Sequence, residues 1–347
     1  MGRAFGVRSW AGVCLALCVG CQGELHSGPG GGGASATEDA STRLDVAPAE
    51  DASSGPRDAE AARDTGAPDA REDAPDAPPG EDAELDVAPD APPPYAGSEG
   101  CRGGAGIPEG ENTFTLDGMD RRYVMRLPSN YSPDRPWPLI FALHGNGGTT
   151  DYWDDTGGSR DIRSEVDEEA IVVVAAAIDR QWRDYDQDRA LWPERIEQEL
   201  RYFDHIIEES KSELCVDERA IFAMGFSGGG SFSGVLGCRR DDIRAIAVGG
   251  SVIYFEQDAC VGTPAAWITI GTQELAQGRV DYREFFRARA GCEESSAAAA
   301  PSPCEAYEGC GEGTPVHYCQ HPDGHIWPGF GTAAAWTFFA QFVEPVE

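Results

Sequence analysis

The chain has 347 residues, 60 of them acidic and 27 basic, for a formal net charge of −33. Its only lysine is Lys211, so the clustered cations that binding to nucleic acid or another polyanion requires are missing. Acidity otherwise speaks only for solubility.

Residues 1–21 begin with Arg3 and Arg8 and continue into WAGVCLALCVGC, too short an apolar run to span a membrane as a mature helix but suited to the core of a signal peptide. The run ends at Val19-Gly20-Cys21. A small residue before cysteine resembles a bacterial lipobox, which implies lipidation of Cys21 and a membrane anchor through it. Cys18 stands where that motif usually has leucine, and plain secretion is the alternative.

Residues 22–100 are Gly, Ala, Pro, Asp and Glu with almost nothing to bury, carrying nineteen acids and four arginines. Such a composition does not offset the entropy lost on ordering, so an extended, solvated tether is expected.

Residues 101–347 carry a net −20 and suit one α/β domain. TFTLDGMDRRYVMRLP alternates like an antiparallel edge pair. WPLIFALHG, AIVVVAAAID, AIFAMGFSG, IRAIAVGG and PAAWITIG are continuous apolar runs, as in strands covered on both faces. Helices are expected over 194–212, where Ile196, Leu200, Phe203, Ile206 and Ile207 share a face, and over 231–238, 281–290 and 332–343. Strands alternating with helices predict a mostly parallel central sheet with helices on both faces and a ligand site beyond the strands' carboxyl ends.

Eight cysteines lie in this part, an even number that favours up to four disulfides in an exported protein. The expected pairs are Cys101–Cys215 and Cys238–Cys260, with Cys292, Cys304, Cys310 and Cys319 stapling the C-terminal loops. No CxxC pair is present, so no zinc site is expected.

The sharpest signal is Gly225-Phe226-Ser227-Gly228-Gly229, placed between a buried strand and a helix. A sharp strand-to-helix turn puts the serine in an unfavourable backbone conformation, and glycines two residues either side remove colliding side chains. Serine is a poor nucleophile until a base takes its proton, and the base needs an orienting acid. In α/β-hydrolases these follow in the order serine, acid, histidine. His317 and His321 fall on one strand face and read as structural, whereas His325 sits in the loop PDGHIWPG and is the expected base. Glu274, at the end of AAWITIGTQE, is the expected acid. Asp281 is the fallback, with Glu256 and Asp258 as third choices. The oxyanion donors are expected from the backbone amides of Asn146, in His144-Gly145-Asn146-Gly147-Gly148, and of Gly228. His144 is expected to shape that loop. Trp182, Trp192 and Trp327 are candidates for stacking on a substrate ring, with packing as their alternative role.

At these residues the chain resembles the secreted polyhydroxybutyrate depolymerase and feruloyl esterase family of α/β-hydrolases. The resemblance runs from CRGGAGIPEGENTFTLDG through RRYVMRLPSNYSPDRPWPLIFALHGNGG and CVDERAIFAMGFSGGG to GHIWPGF. It implies an α/β-hydrolase fold, nucleophile Ser227, base His325 and an acid at Glu274. It also implies an exported monomer that hydrolyses ester-bearing polymers or oligomers (polyhydroxyalkanoate, feruloyl or acetyl esters) with no metal or organic cofactor. The family usually has aspartate in its GTxD segment, where this chain has Gly271-Thr272-Gln273-Glu274. That departure leaves a second expectation open: a tethered carbohydrate- or polymer-binding protein with impaired turnover.

Overall fold

The computed structural model describes residues 97–154, 157–166, 168–184 and 192–343. Residues 1–21 with Cys21, and all of the expected tether up to residue 96, lie outside the described residues.

The strands are β1 (Gly110–Leu116), β2 (Met119–Arg126), β3 (Trp137–Leu143), β4 (Ile171–Ala175), β5 (Val216–Phe226), β6 (Ile243–Gly249), β7 (Ala265–Gly271), β8 (Ser296–Ala298), β9 (Cys304–Tyr307) and β10 (Val316–His321). They form one sheet in the order β1-β2-β4-β3-β5-β6-β7-β10-β9-β8. The six strands from β4 to β10 in that order run parallel, and the flanking pairs at each end are antiparallel. β1 and β2 form the expected edge hairpin, turning through Asp117 and Gly118, both at positive φ as a tight hairpin requires.

The helices are α1 (Asp151–Asp154), α2 (Ile162–Val166), α3 (Trp192–Glu213), α4 (Gly228–Arg239), α5 (Gln277–Arg289) and α6 (Gly331–Ala340). The continuous apolar runs are explained by covering on both faces. Leu139, Phe141 and Leu143 of β3 pack in a layer with residues of α3, α4 and α5, while Ile140 and Ala142 pack in the other with Trp153, α2 and α6. This is the α/β-hydrolase fold. Helix α5 begins four residues earlier than expected, which brings Arg279 into its first turn.

All four disulfides are present. Cys101–Cys215 and Cys238–Cys260 are the expected pairs, and the last four cysteines pair as Cys292–Cys310 and Cys304–Cys319. Cys304 and Cys319 are also register partners of β9 and β10, so that bridge crosses the ladder. Ser98, just ahead of the first bridge, hydrogen-bonds through its backbone N–H and its hydroxyl to Val216 and Leu214, so the folded part already includes it.

Candidate active site

β5 ends at Phe226 and α4 begins at Gly228, leaving Ser227 alone in the turn with φ 56° and ψ −119°. A non-glycine residue there is strained and persists only where its surroundings hold it. The Ser227 N–H donates to Gly249 O at 2.7 Å, tying the turn to the end of β6. The flanking glycines are needed for contact as well as conformation: a Cβ on Gly225 would lie 2.5 Å from the carbonyl carbon of Gly229, and one on Gly229 would lie 2.2 Å from Leu143 O.

His325 Nε2 is 2.8 Å from Ser227 Oγ, and His325 Nδ1 is in close contact with Glu274 Oε2. A carboxylate against Nδ1 places the ring proton on that nitrogen, so the Nε2 lone pair faces the serine hydroxyl. The structure therefore brings Ser227, His325 and Glu274 into one hydrogen-bonded line across the carboxyl ends of β5 and β7. Asp281 instead accepts from Gln277 at 2.7 Å, while Glu256 and Asp258 line a neighbouring cleft.

Glu274 is nearly buried, its side chain 6% exposed. Oε1 accepts from the Gly271 N–H at 3.2 Å, and Oε2 also lies 3.1 Å from Arg279 Nε. Burial pushes its pKa up, but the hydrogen bonds from His325 and Gly271 and the charges of His325 and Arg279 outweigh burial and hold it below the ordinary carboxylate value. The acid thus stays ionised in a shielded place. The Phe226 ring lies 4.6 Å from that of His325, and Gly250, at φ +60°, passes so close that a Cβ would sit 2.7 Å from His325 Cε1.

On the other side of the serine runs the loop after β3. A Cβ on Gly228 would lie 2.2 Å from Asn146 Nδ2, so the two expected oxyanion residues are adjacent. Gly228 opens α4, where N–H groups have no acceptor within the helix. Asn146 Oδ1 accepts from the Trp182 N–H at 3.1 Å and Nδ2 donates to Tyr254 OH at 3.3 Å. Arg180 grips the next two residues, donating to the carbonyls of Gly147 and Gly148 while its own carbonyl accepts from Gly147 N–H. His144 is buried, hydrogen-bonded through Nδ1 to Gly145 O at 2.8 Å and accepting from Ala177 N–H at 3.3 Å. Burial lowers its pKa, the carbonyl of Gly145 opposing in part, so it is held neutral.

No protein-family profile matches the chain. Over 288 residues it is 28% identical to feruloyl esterase D of Neurospora crassa, covering 71% of this chain and 91% of that protein. Over 267 residues it is 27% identical to feruloyl esterase C of Emericella nidulans, covering 70% and 91%. The chain is a carboxylic ester hydrolase homologous to the feruloyl esterases. Among solved structures, the acetyl xylan esterase from Aspergillus awamori shares the fold, with a TM-score of 0.51 at 14% identity, covering 66% of this chain and 98% of that one.

Two of the three tryptophans considered for this esterase homologue's substrate site are corrected by their burial. Trp182 is 0% exposed, packs on Phe203 and Phe232 and donates to His144 O at 2.6 Å, so neither ring face is open to a ligand. Trp327 is wedged between Trp153 and Trp267 and donates to Thr332 Oγ1 at 3.0 Å. Trp192 does line a cleft of about 680 Å³, together with Val252, Tyr254, Phe255, Glu256 and Asp258. Tyr254, through the hydrogen bond it accepts from Asn146, joins that cleft to the expected oxyanion loop.

His317 packs its ring on Phe338 and His321 is buried 3.7 Å from Asp323, away from the line through Ser227. Sequence reasoning missed Arg180, Tyr254 and Arg279. Arg279 carries no sequence signal, because the helix is expected to start at residue 281; only the observed start at Gln277 puts this cation in a first turn, against the helix dipole. Among the described residues, no His, Cys, Asp and Glu cluster fit to hold a metal is present, and no helix is long and apolar enough to cross a membrane.

Proposed function

We propose that the chain is an exported serine esterase in which Ser227 is the nucleophile, His325 the base and Glu274 the orienting acid. The observation that carries this reading is the unbroken contact from Ser227 Oγ through both ring nitrogens of His325 to an ionised, nearly buried carboxylate.

As the bond from Ser227 Oγ to the ester carbonyl carbon forms, the hydroxyl proton passes to His325 Nε2. Glu274 stabilises the imidazolium, and the amides of Gly228 and Asn146 stabilise the oxyanion. Collapse breaks the bond to the alcohol, which leaves with the proton from Nε2. Water then gives a proton to Nε2 and attacks the acyl-serine, releasing the acid and restoring the hydroxyl.

Leu275 and Ile326, 46% and 48% exposed, directly follow the acid and the base in the chain. Exposed apolar side chains next in the chain to the acid and the base are compatible with an ester bearing an apolar acyl group. Glu256, Asp258 and Asp281 on the neighbouring cleft disfavour anionic substrates. The unusual acid, which motivated the binding-protein alternative, reaches the ring, and this supports turnover. Four disulfides fit an oxidising compartment. Anchoring through Cys21 is proposed from the sequence, and Cys21→Ser should move the protein from a membrane to a soluble fraction.

The test uses the full chain on p-nitrophenyl acetate, methyl ferulate, acetylated xylan and hydroxybutyrate oligomers. Burst release of p-nitrophenol is expected, with kcat falling by about 10⁶ in Ser227→Ala. Turnover that survives that substitution would sink the assignment.

A further inference from the structure

Arg279 is a cation in two unfavourable places. It lies in the first turn of α5, where the helix dipole disfavours positive charge. Its Nη2 is also 3.3 Å from His325 Nδ1. Since Glu274 places the ring proton on that nitrogen, the guanidinium N–H and the ring N–H confront each other, and histidine does not attract the arginine there. The attraction comes from Glu274, whose Oε2 is 3.1 Å from Arg279 Nε.

We propose that Arg279 is a positioning residue of the esterase, its charge holding the long Glu274 side chain against His325. The proposal rests on the roles assigned to Ser227, His325 and Glu274. Glutamate places its carboxylate one methylene farther from the backbone than aspartate, with one more rotatable bond to fix. Hydrogen bonds from Gly271 to Oε1 and from His325 to Oε2 hold it, and the Arg279 guanidinium adds its charge beside Oε2. The charged groups facing the ring are Glu274 from the turn after β7 and Arg279 from α5. Ser227 and Phe226 face it from the turn after β5, and Gly250 from the end of β6. Asp323, on the ring's own loop, is directed at His321.

The test measures kcat and KM on p-nitrophenyl acetate for the full chain and for Arg279→Met, Arg279→Lys and Arg201→Met. Arg201 pairs with Asp117 on the exposed surface at 2.7 Å and controls for the loss of one positive charge. Arg279→Met should lower kcat by about ten- to a hundredfold with KM changed by less than about twofold. Arg279→Lys keeps the charge beside Glu274 and should regain part of kcat, and Arg201→Met should change neither kcat nor KM. A wild-type kcat in Arg279→Met, a loss confined to KM, or an equal loss of kcat in Arg201→Met overturns the proposal. If Arg279→Met does not fold, Arg279→Lys decides: a kcat between wild type and about a hundredfold loss at unchanged KM supports the proposal, and an unchanged kcat or a change confined to KM overturns it. A parent protein without turnover, or one indifferent to Ser227→Ala, sinks the underlying esterase reading instead.

Discussion

Ser227 and the oxyanion loop are held by backbone, whereas Glu274 and His325 reach each other as side chains from two separate loops. On the serine side, Gly225, Gly228 and Gly229 sit so close to neighbouring main chain and to Asn146 that no side chain fits, and Ser227 N–H is tied to Gly249 O. On the acid and base side, alignment depends on one short contact between ring and carboxylate and on the partners of that carboxylate. A backbone device is rigid because the sheet is rigid; a side-chain device is only as rigid as its hydrogen bonds. Disruption should therefore show as lost folding on the first side and as lost turnover in a folded protein on the second.

The largest effect that sharpens this contrast is Glu274→Gln. The amide keeps the shape but removes the charge that stabilises the imidazolium and fixes the proton on Nδ1. A fall in kcat of about 10⁴ is expected with thermal unfolding nearly unchanged. Glu274→Asp retains the charge on a shorter arm and should lose far less, so equal losses in the two variants would break the assignment of the acid. Gly229→Ala is the matching change on the serine side. Its Cβ would meet Leu143 O at 2.2 Å and His144 O at 2.4 Å, both backbone atoms. A loss of about 3 kcal/mol of stability is expected, seen in the midpoint of urea unfolding. A fully stable but inactive Gly229→Ala would show that the backbone there is less fixed than its contacts imply.

The two sides also differed in how legible they were in the sequence. The serine turn shows in local pattern because its demands are local: an apolar strand, glycines at fixed offsets and a helix behind. The parallel strands were readable for a related reason, since covering on both faces leaves continuous apolar runs. By contrast, β8 is three exposed residues and β9 is four, and neither carries a pattern long enough to detect. Trp182 and Trp327 show the limit on aromatic residues. A tryptophan near a cleft in sequence looks the same whether its ring faces solvent or is buried behind the loop it supports. Arg180 acts on a residue 33 positions away, so only the folded topology brings it to its partner, and Arg279 pairs with Glu274 only because α5 starts earlier than its pattern shows.

Arg180 tests whether the backbone side needs any side chain at all. It and Asp179 both hold positive φ, and its guanidinium reaches the carbonyls of Gly147 and Gly148 beside Asn146. Arg180→Ala should loosen that loop and lower kcat about tenfold, an effect nearer to one misplaced donor than to a lost catalytic group. A larger rise in KM than fall in kcat would place Arg180 in substrate binding instead.

The smallest effect concerns pH and separates the regions by stability alone. His144, under the oxyanion loop, and His317, on β10, both have pKa values lowered by burial. The unfolded chain takes up protons at these residues near the ordinary value of about 6.5, where the folded protein does not. Folding stability from each is therefore complete above that pH and is lost as pH falls toward the folded-state value. One proton difference sets a slope of at most about 1.4 kcal/mol per pH unit. Protonation of the many surface carboxylates lies lower and relieves repulsion, so the comparison needs a variant rather than the wild-type curve alone. His317→Leu should keep the ring's apolar contact with Phe338 and remove one of the two histidine contributions, flattening the decline in urea midpoint between pH 7 and 5 without changing kcat. The slope that remains belongs in part to His144, whose protonation would take from Ala177 N–H its acceptor. An unchanged slope in His317→Leu would assign the whole acid sensitivity elsewhere, leaving the loop beside the serine as the first place to look.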